Sequence, residues 1–182
     1  MLELVKVKAT DLDNLMHWRM LPDVTKYMFT DPKLTMNMQI KWLHDISNDS
    51  TCKHWVIKYR DTKIGTVNLT NIDYHNLRCS WGYYIADPLM RGRGFGKILE
   101  YNICDFVFEE LKFNKLISEV LAFNERVIKL KETCGSKIEG VLRSHIKKEN
   151  TYFDVVVLAI LRDEWLQHRE MIEYEEIFIE KI

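Results

Sequence analysis

From Arg91 to Lys97 the chain reads Arg-Gly-Arg-Gly-Phe-Gly-Lys. Glycines admit an anion to close range of main-chain N–H groups, and a helix start leaves such groups unpaired and carries a partial positive charge. The spacing of Ile98, Leu99, Ile103, Phe106, Val107 and Leu111 predicts that a helix starts here. A strand precedes it, aromatic and β-branched from Trp81 to Ile85 and ended by Asp87-Pro88. Strand, glycine loop and helix predict a pyrophosphate grip by the amides of Arg91, Gly92, Arg93, Gly94, Phe95, Gly96 and Lys97, with three cationic side chains around it. The nucleoside-triphosphate loop is excluded, because it ends Gly-Lys-Ser/Thr and Ile98 follows Lys97. The dinucleotide fingerprint fails on glycine spacing. The bland alternative is a strand-to-helix turn with surface arginines.

The elements that must position this loop follow from pattern. Leu2 to Lys8 alternates as an opening strand. Thr10 or Asp11 caps a helix carrying Leu12, Leu15 and Met16, Pro22 interrupts, and a short turn runs from Asp23 to Met28. A third helix starts at Thr35 and closes at Asn48-Asp49-Ser50. His54–Tyr59 and Lys63–Leu69 form a hairpin, with Gly65 a bulge or close-approach point, and Asn71 to Leu77 is a polar turn. After the loop and its helix come a strand, Leu116 to Ala122, and a helix from Asn124 to about Thr133 stopped by Gly135. Lys137–Lys147 and Tyr152–Leu161 make a last antiparallel pair, and a charged segment from Arg162 to Lys181 reads as helical. The order β-α-α-β-β-β-α-β-α-β-β implies a parallel crossover around the loop in a mixed sheet.

Composition narrows the class. A chain of 182 residues, 47% hydrophobic, supports one domain with a core. The net charge of −1 argues against a general nucleic-acid binder. No apolar run is long enough to span a bilayer, and the start of the chain lacks a signal-peptide pattern, so a cytoplasmic protein without membrane partners is expected. Four separated cysteines and six histidines show no metal-ligand spacing, so no metal is expected.

Arg91-x-x-Gly94-x-Gly96, set between that strand and that helix, resembles the acyl-CoA signature Q/R-x-x-G-x-G/A of the GNAT N-acetyltransferases. The order of elements is similar to the GNAT fold from about Leu2 to Asp163. The resemblance implies an α/β mixed sheet of about seven strands with flanking helices over residues 1–163, with a helical extension over 164–182. It implies acetyl-CoA as co-substrate and a bulged central strand whose backbone at Tyr84, Ile85 and Ala86 pairs with the pantetheine arm. A bulge N–H would polarise the thioester carbonyl. Asn124 sits where the family places a pantetheine-binding asparagine. Seven residues on, where the family has a tyrosine that protonates the leaving thiolate, stands Lys131. Its role is open between proton donor and solvated residue contacting CoA phosphates.

Upstream, Trp18-Arg19-Met20-Leu21-Pro22-Asp23-Val24, then Phe29 and Trp42-Leu43, resembles the sugar-nucleotide N-acetyltransferases of pseudaminic acid synthesis. Those enzymes acetylate the 4-amino group of UDP-4-amino-4,6-dideoxy-N-acetyl-β-L-altrosamine for flagellin glycosylation. The same segment resembles ribosomal-protein and polyamine acetyltransferases. A small-molecule amine acceptor, a sugar nucleotide first, is therefore expected, and a homodimer is allowed. Two other readings stand beside it: a peptide N-terminal acetyltransferase and a catalytically silent acyl-CoA-binding domain.

Direct transfer needs a neutral amine, a polarised carbonyl and a way to discharge the thiolate. Glu119 is the candidate base: it interrupts an apolar strand, and burial there would raise its pKa. A strand-end glutamate paired with a lysine is the alternative. Arg19 could hold a substrate phosphate or carboxylate. Thr70 and Asn71 could bond sugar hydroxyls, and Trp81 or Tyr83 could stack on a base or sugar ring, against the simpler readings of turn formation and core packing.

Overall fold

The computed structural model describes residues 1–181. Its centre is one mixed sheet. In chain order the strands are β1 (Leu2–Lys6), β2 (Lys53–Tyr59), β3 (Thr62–Asp73), β4 (Arg78–Ile85), β5 (Lys115–Leu121), β6 (Lys137–Lys148), β7 (Thr151–Leu161) and β8 (Phe178–Ile179). They lie side by side as β6-β7-β5-β4-β3-β2-β1-β8. The helices are α1 (Leu12–Met20), α2 (Pro22–Thr25), α3 (Met36–Asn48), α4 (Phe95–Asp105), α5 (Glu125–Thr133) and α6 (Arg162–Arg169). A π-helical turn, Phe106–Glu110, extends α4. No described helix is long and apolar enough to cross a membrane.

Alternation along each strand sorts side chains between two helical layers. On one face Ile64, Val67, Leu69 and Trp81 pack with Phe95, Leu99, Ile103 and Phe106 of α4 and its extension. Val120, Val156 and Leu158 continue that face against Val127 and Ile128 of α5. On the other face Val7 and Val56 pack with Leu12 and Leu15, next to Trp18, Trp42 and Leu43.

The β4-α4-β5 crossover is parallel, as expected, but the pairing is short. Arg78, Cys79 and Ser80 register with Lys115, Leu116 and Ile117, and there it stops. From Trp81 on β4 pairs only with β3, and from Ser118 on β5 pairs only with β7. The two strands part into a cleft.

Three expectations change here. The register shift expected in the central strand falls on its neighbour: β4 runs evenly from Ser80 to Ile85, and β3 slips at Ile64 and again between Thr70 and Asp73. Asn71, with φ +50°, belongs to that second slip, and β3 runs through it to Asp73, into what read as a turn. At Gly65, as expected, the backbones approach closely: a Cβ there would lie 2.0 Å from the Tyr84 carbonyl oxygen.

The third change concerns the C-terminal segment, which is helical only through Arg169. Beyond it the chain crosses α4 as an extended strap. Buried Asn102 donates to the Glu175 carbonyl (2.8 Å) and accepts from the Ile177 amide (2.9 Å). Asp105 accepts from Trp165 Nε1 at 3.0 Å, pairs with Arg169 at 3.3 Å and bonds the Tyr174 hydroxyl. The strap ends as β8, an eighth strand parallel to β1, and Trp55 Nε1 donates to the Glu180 carbonyl at 2.8 Å. Removing the Asn102 amide leaves two strap groups without partners. Asn102→Ala should lose about 1–2 kcal/mol. A lower urea midpoint at unchanged slope checks it.

Candidate active site

The cleft opens into a cavity of about 1300 Å³ that reaches both faces of the sheet. The glycine loop lies at its mouth. Gly92 and Gly94 have φ of +77° and +84°, and Gly94 is the N-cap of α4. A left-handed cap favours glycine, because any Cβ meets the following carbonyl. The Arg91 amide donates to the Pro88 carbonyl at 3.2 Å and the Lys97 amide to Gly94 at 3.0 Å. The amides of Gly92, Arg93, Gly94, Phe95 and Gly96 have no acceptor among the described residues. The grip expected over seven amides thus narrows to these five, at the positive end of an eleven-residue helix.

Side chains around the loop are largely occupied. Arg91 donates through Nε to the Ile85 carbonyl (2.9 Å) and through Nη2 to the Ala86 carbonyl (3.1 Å), and it pairs with Asp23 at 3.6 Å. Arg93 Nε donates to the Leu89 carbonyl at 3.0 Å. The arginines shape the loop from behind. Ala86 is engaged at both main-chain groups, since its amide donates to Ile64 at 2.8 Å. It cannot pair with an incoming arm. By alternation the Ile85 N–H faces the cleft instead.

The opposite wall of the cleft is α5. Asn124 occupies its N-cap position, but its side chain makes no capping bond and lines the cavity. Lys131 also lines the cavity, yet it is not solvated. It is 3% exposed, its Nζ bonds Glu100 Oε1 at 2.8 Å, and it stands 4.1 Å from the centre of the Trp81 ring. The solvated position, one of its two expected settings, gives way to a buried ion pair.

Trp81 and Tyr83 lie on the α4–α5 face, stacked with centroids 5.5 Å apart. A Cβ on Gly96 would meet the Tyr83 hydroxyl at 2.6 Å, so that ring fills the space beneath the loop. Core packing wins over ring stacking on an acceptor for both residues. Tyr84 takes the other face.

The other half of the cavity lies on that face. Thr66, Asn68 and Thr70 alternate with buried Val67 and Leu69 along β3 and line the cavity with Ser80, Tyr84 and Glu119. Asn71 lines its far edge. Glu119 faces this side, opposite buried Ser118 and Val120, and it is exposed. The burial expected to perturb it is absent, and any base role must run through an open carboxylate. His54, which sequence reasoning passed over, lines the same half edge-on to Trp42 at 5.2 Å. Burial pushes its pKa down to about 4, so it is a neutral imidazole.

Arg19 is the one cation of α1 in this half. Its Nη2 donates to the Thr30 carbonyl (3.0 Å) and hydroxyl (2.8 Å), while Nη1 is buried with no partner among the described residues. Burial lowers its pKa, against the opposing pull of Tyr84 and Asp31. Above it the Thr25–Asp31 segment is held down by Lys148. Its ammonium donates to the Thr25 and Met28 carbonyls at 2.7 and 3.1 Å and pairs with Asp31 at 3.0 Å.

A loop of free amides thus faces a cleft between parted parallel strands, with a polar half-cavity behind it. The family model "Acetyltransferase (GNAT) domain" matches residues 1–137. The chain belongs to the GNAT acetyltransferase family. It is 30% identical over 170 residues to the uncharacterized N-acetyltransferase p20 of Bacillus licheniformis, covering 90% of this chain and 94% of that one. It is 26% identical to the acetyltransferase PseH of Campylobacter jejuni, over 69% of this chain and 76% of that one. Among solved structures, a spermidine N-acetyltransferase of Vibrio cholerae in complex with CoA and spermine superposes with a TM-score of 0.85 at 24% identity, covering 91% of this chain and 98% of that one. This GNAT chain is an acetyl-CoA-dependent N-acetyltransferase. That overturns the silent-domain reading.

Proposed function

We propose that this enzyme acetylates the amino group of an anion-bearing small molecule, an amino-sugar nucleotide of the UDP-4-amino-4,6-dideoxy-N-acetyl-altrosamine type. The observation that carries this is the orphan Nη1 of Arg19. A buried guanidinium N–H without an acceptor is costly, and a ligand phosphate or carbonyl would satisfy it. The row Thr66, Asn68, Thr70 and Ser80 offers hydroxyl and amide partners of the kind a sugar needs. The Campylobacter jejuni relative points the same way.

A polycationic acceptor fits this half less well. The acids lining the cavity are Asp23 and Glu119, and Asp23 is paired with Arg91. The same balance weighs against a peptide amine drawn into an acidic groove. In the reaction, acetyl-CoA lies with its pyrophosphate on the loop amides and its arm along the free edge of β4. The amine approaches from the Arg19 side. Glu119, directly or through water, takes the proton that leaves nitrogen.

The test is a panel of amines with acetyl-CoA, read as CoA release: an amino-sugar nucleotide, spermidine and a peptide. Turnover with the first is expected. Arg19→Ala should raise KM for that acceptor about 10- to 100-fold, the weight of a charged hydrogen bond, and leave CoA affinity unchanged. An unmoved KM overturns the assignment.

A further inference from the structure

In α4, Glu100 falls in line with Ile103 and Val107, on the stripe that a helix turns toward its core. A carboxylate on that stripe calls for a partner, and the partner is Lys131 of α5, with both side chains at most 4% exposed. An ammonium has three donors. One bonds Glu100, one side of the group rests on the Trp81 ring, and no third partner occurs among the described residues. Lys131 nevertheless lines the cavity. Trp81 is also the first residue of β4 beyond its pairing with β5. An arm running from the glycine loop along the free edge of β4 must end beside Trp81, where the cleft closes. Its reactive end and the Lys131 ammonium then share one place.

We infer that Glu100 is a positioning residue: it holds the Lys131 ammonium at the sulfur end of the acyl-CoA arm, where that ammonium discharges the departing thiolate. As the tetrahedral adduct collapses, the C–S bond breaks and its electron pair passes to sulfur. One Lys131 proton moves to sulfur, leaving CoA as the thiol and Lys131 as the neutral amine. The surplus proton on nitrogen leaves to Glu119 or water, and solvent reprotonates Lys131.

Among the described residues Glu100 is the only countercharge paired with Lys131. On α4 face Tyr101, Cys104 and Lys97; on α5, Arg126, with Cys134 just past its end; on β4, Tyr83. Burial pushes Cys134 and Tyr101 up to about 12 and raises Cys104 and Tyr83 well above their ordinary values, so all four stay neutral. Without Glu100, no acceptor among the described residues holds the Lys131 ammonium at that place.

This inference rests on acetyl-CoA use and not on the acceptor, so its test uses CoA alone. The thiol of bound CoA is titrated through its ultraviolet thiolate absorbance. In the wild type it should ionise at least ~10-fold more readily than free CoA, the effect of a nearby cation. Lys131→Met and Glu100→Gln should both return it to the free value while CoA affinity holds. A wild type without the shift, or either variant that keeps it, overturns the inference. If Glu100→Gln fails to fold, Glu100→Asp is read instead: the retracted carboxylate should move the thiol part-way to the free value, and an unmoved value overturns Glu100. A merely structural ion pair would leave the bound thiol at the free value in every form.

Discussion

Replacing Gly94 with valine should weaken CoA binding about 10- to 100-fold by calorimetry, roughly 1.4–3 kcal/mol. The cause is not a collision inside the protein, because a Cβ there would have no neighbour within 4 Å. It is the backbone. At φ +84° a side chain costs ~1–2 kcal/mol, more when β-branched. The relaxed loop would also turn its amides from the anion, and the new side chain would stand where the diphosphate comes closest. Alanine should do less than valine. Equal affinity in wild type and valine variant would remove the loop as the CoA site.

The second large effect is expected at Glu119. Glu119→Gln should cut kcat about 100-fold near neutral pH, the size typical of a lost general base. The deficit should shrink as pH rises, since an amine that has already shed its proton needs no base. Glu119 is exposed on the acceptor face and lines the cavity. It can therefore exchange its acquired proton with water between turnovers. A variant whose rate falls equally at every pH would assign Glu119 to binding, and a variant with no loss would leave the amine to solvent.

The loop and its neighbours were legible because their signals are local. Glycines, a strand-ending Asp87-Pro88 and an apolar helical stripe sit within about thirty residues, and each depends on its own backbone. Even the Arg19 orphan begins from a legible segment, Trp18-Arg19. What was not legible joins distant parts of the chain. Lys131 read as either a proton donor or a solvated residue, because its partner, Glu100, lies 31 residues earlier on another helix. A signal for it existed: Glu100 in the apolar stripe of α4. Trp81 and Tyr83 were placed correctly on one face of their strand, but which face meets the acceptor is decided by packing with α4 and α5. The strap read as helix because its charges fit a solvated helix. Its conformation is set by Asn102, Asp105 and the open edge of β1.

The parting of β4 from β5 after Ser80 has one more consequence. On the proposed function, donor and acceptor reach the reacting carbon from opposite sides of a single sheet, through a slot bounded by backbone. The two products form in one collapse, and each can depart on its own side of the sheet. A tight inhibitor would have to thread the slot as one continuous molecule, narrow at the waist and broad at both ends.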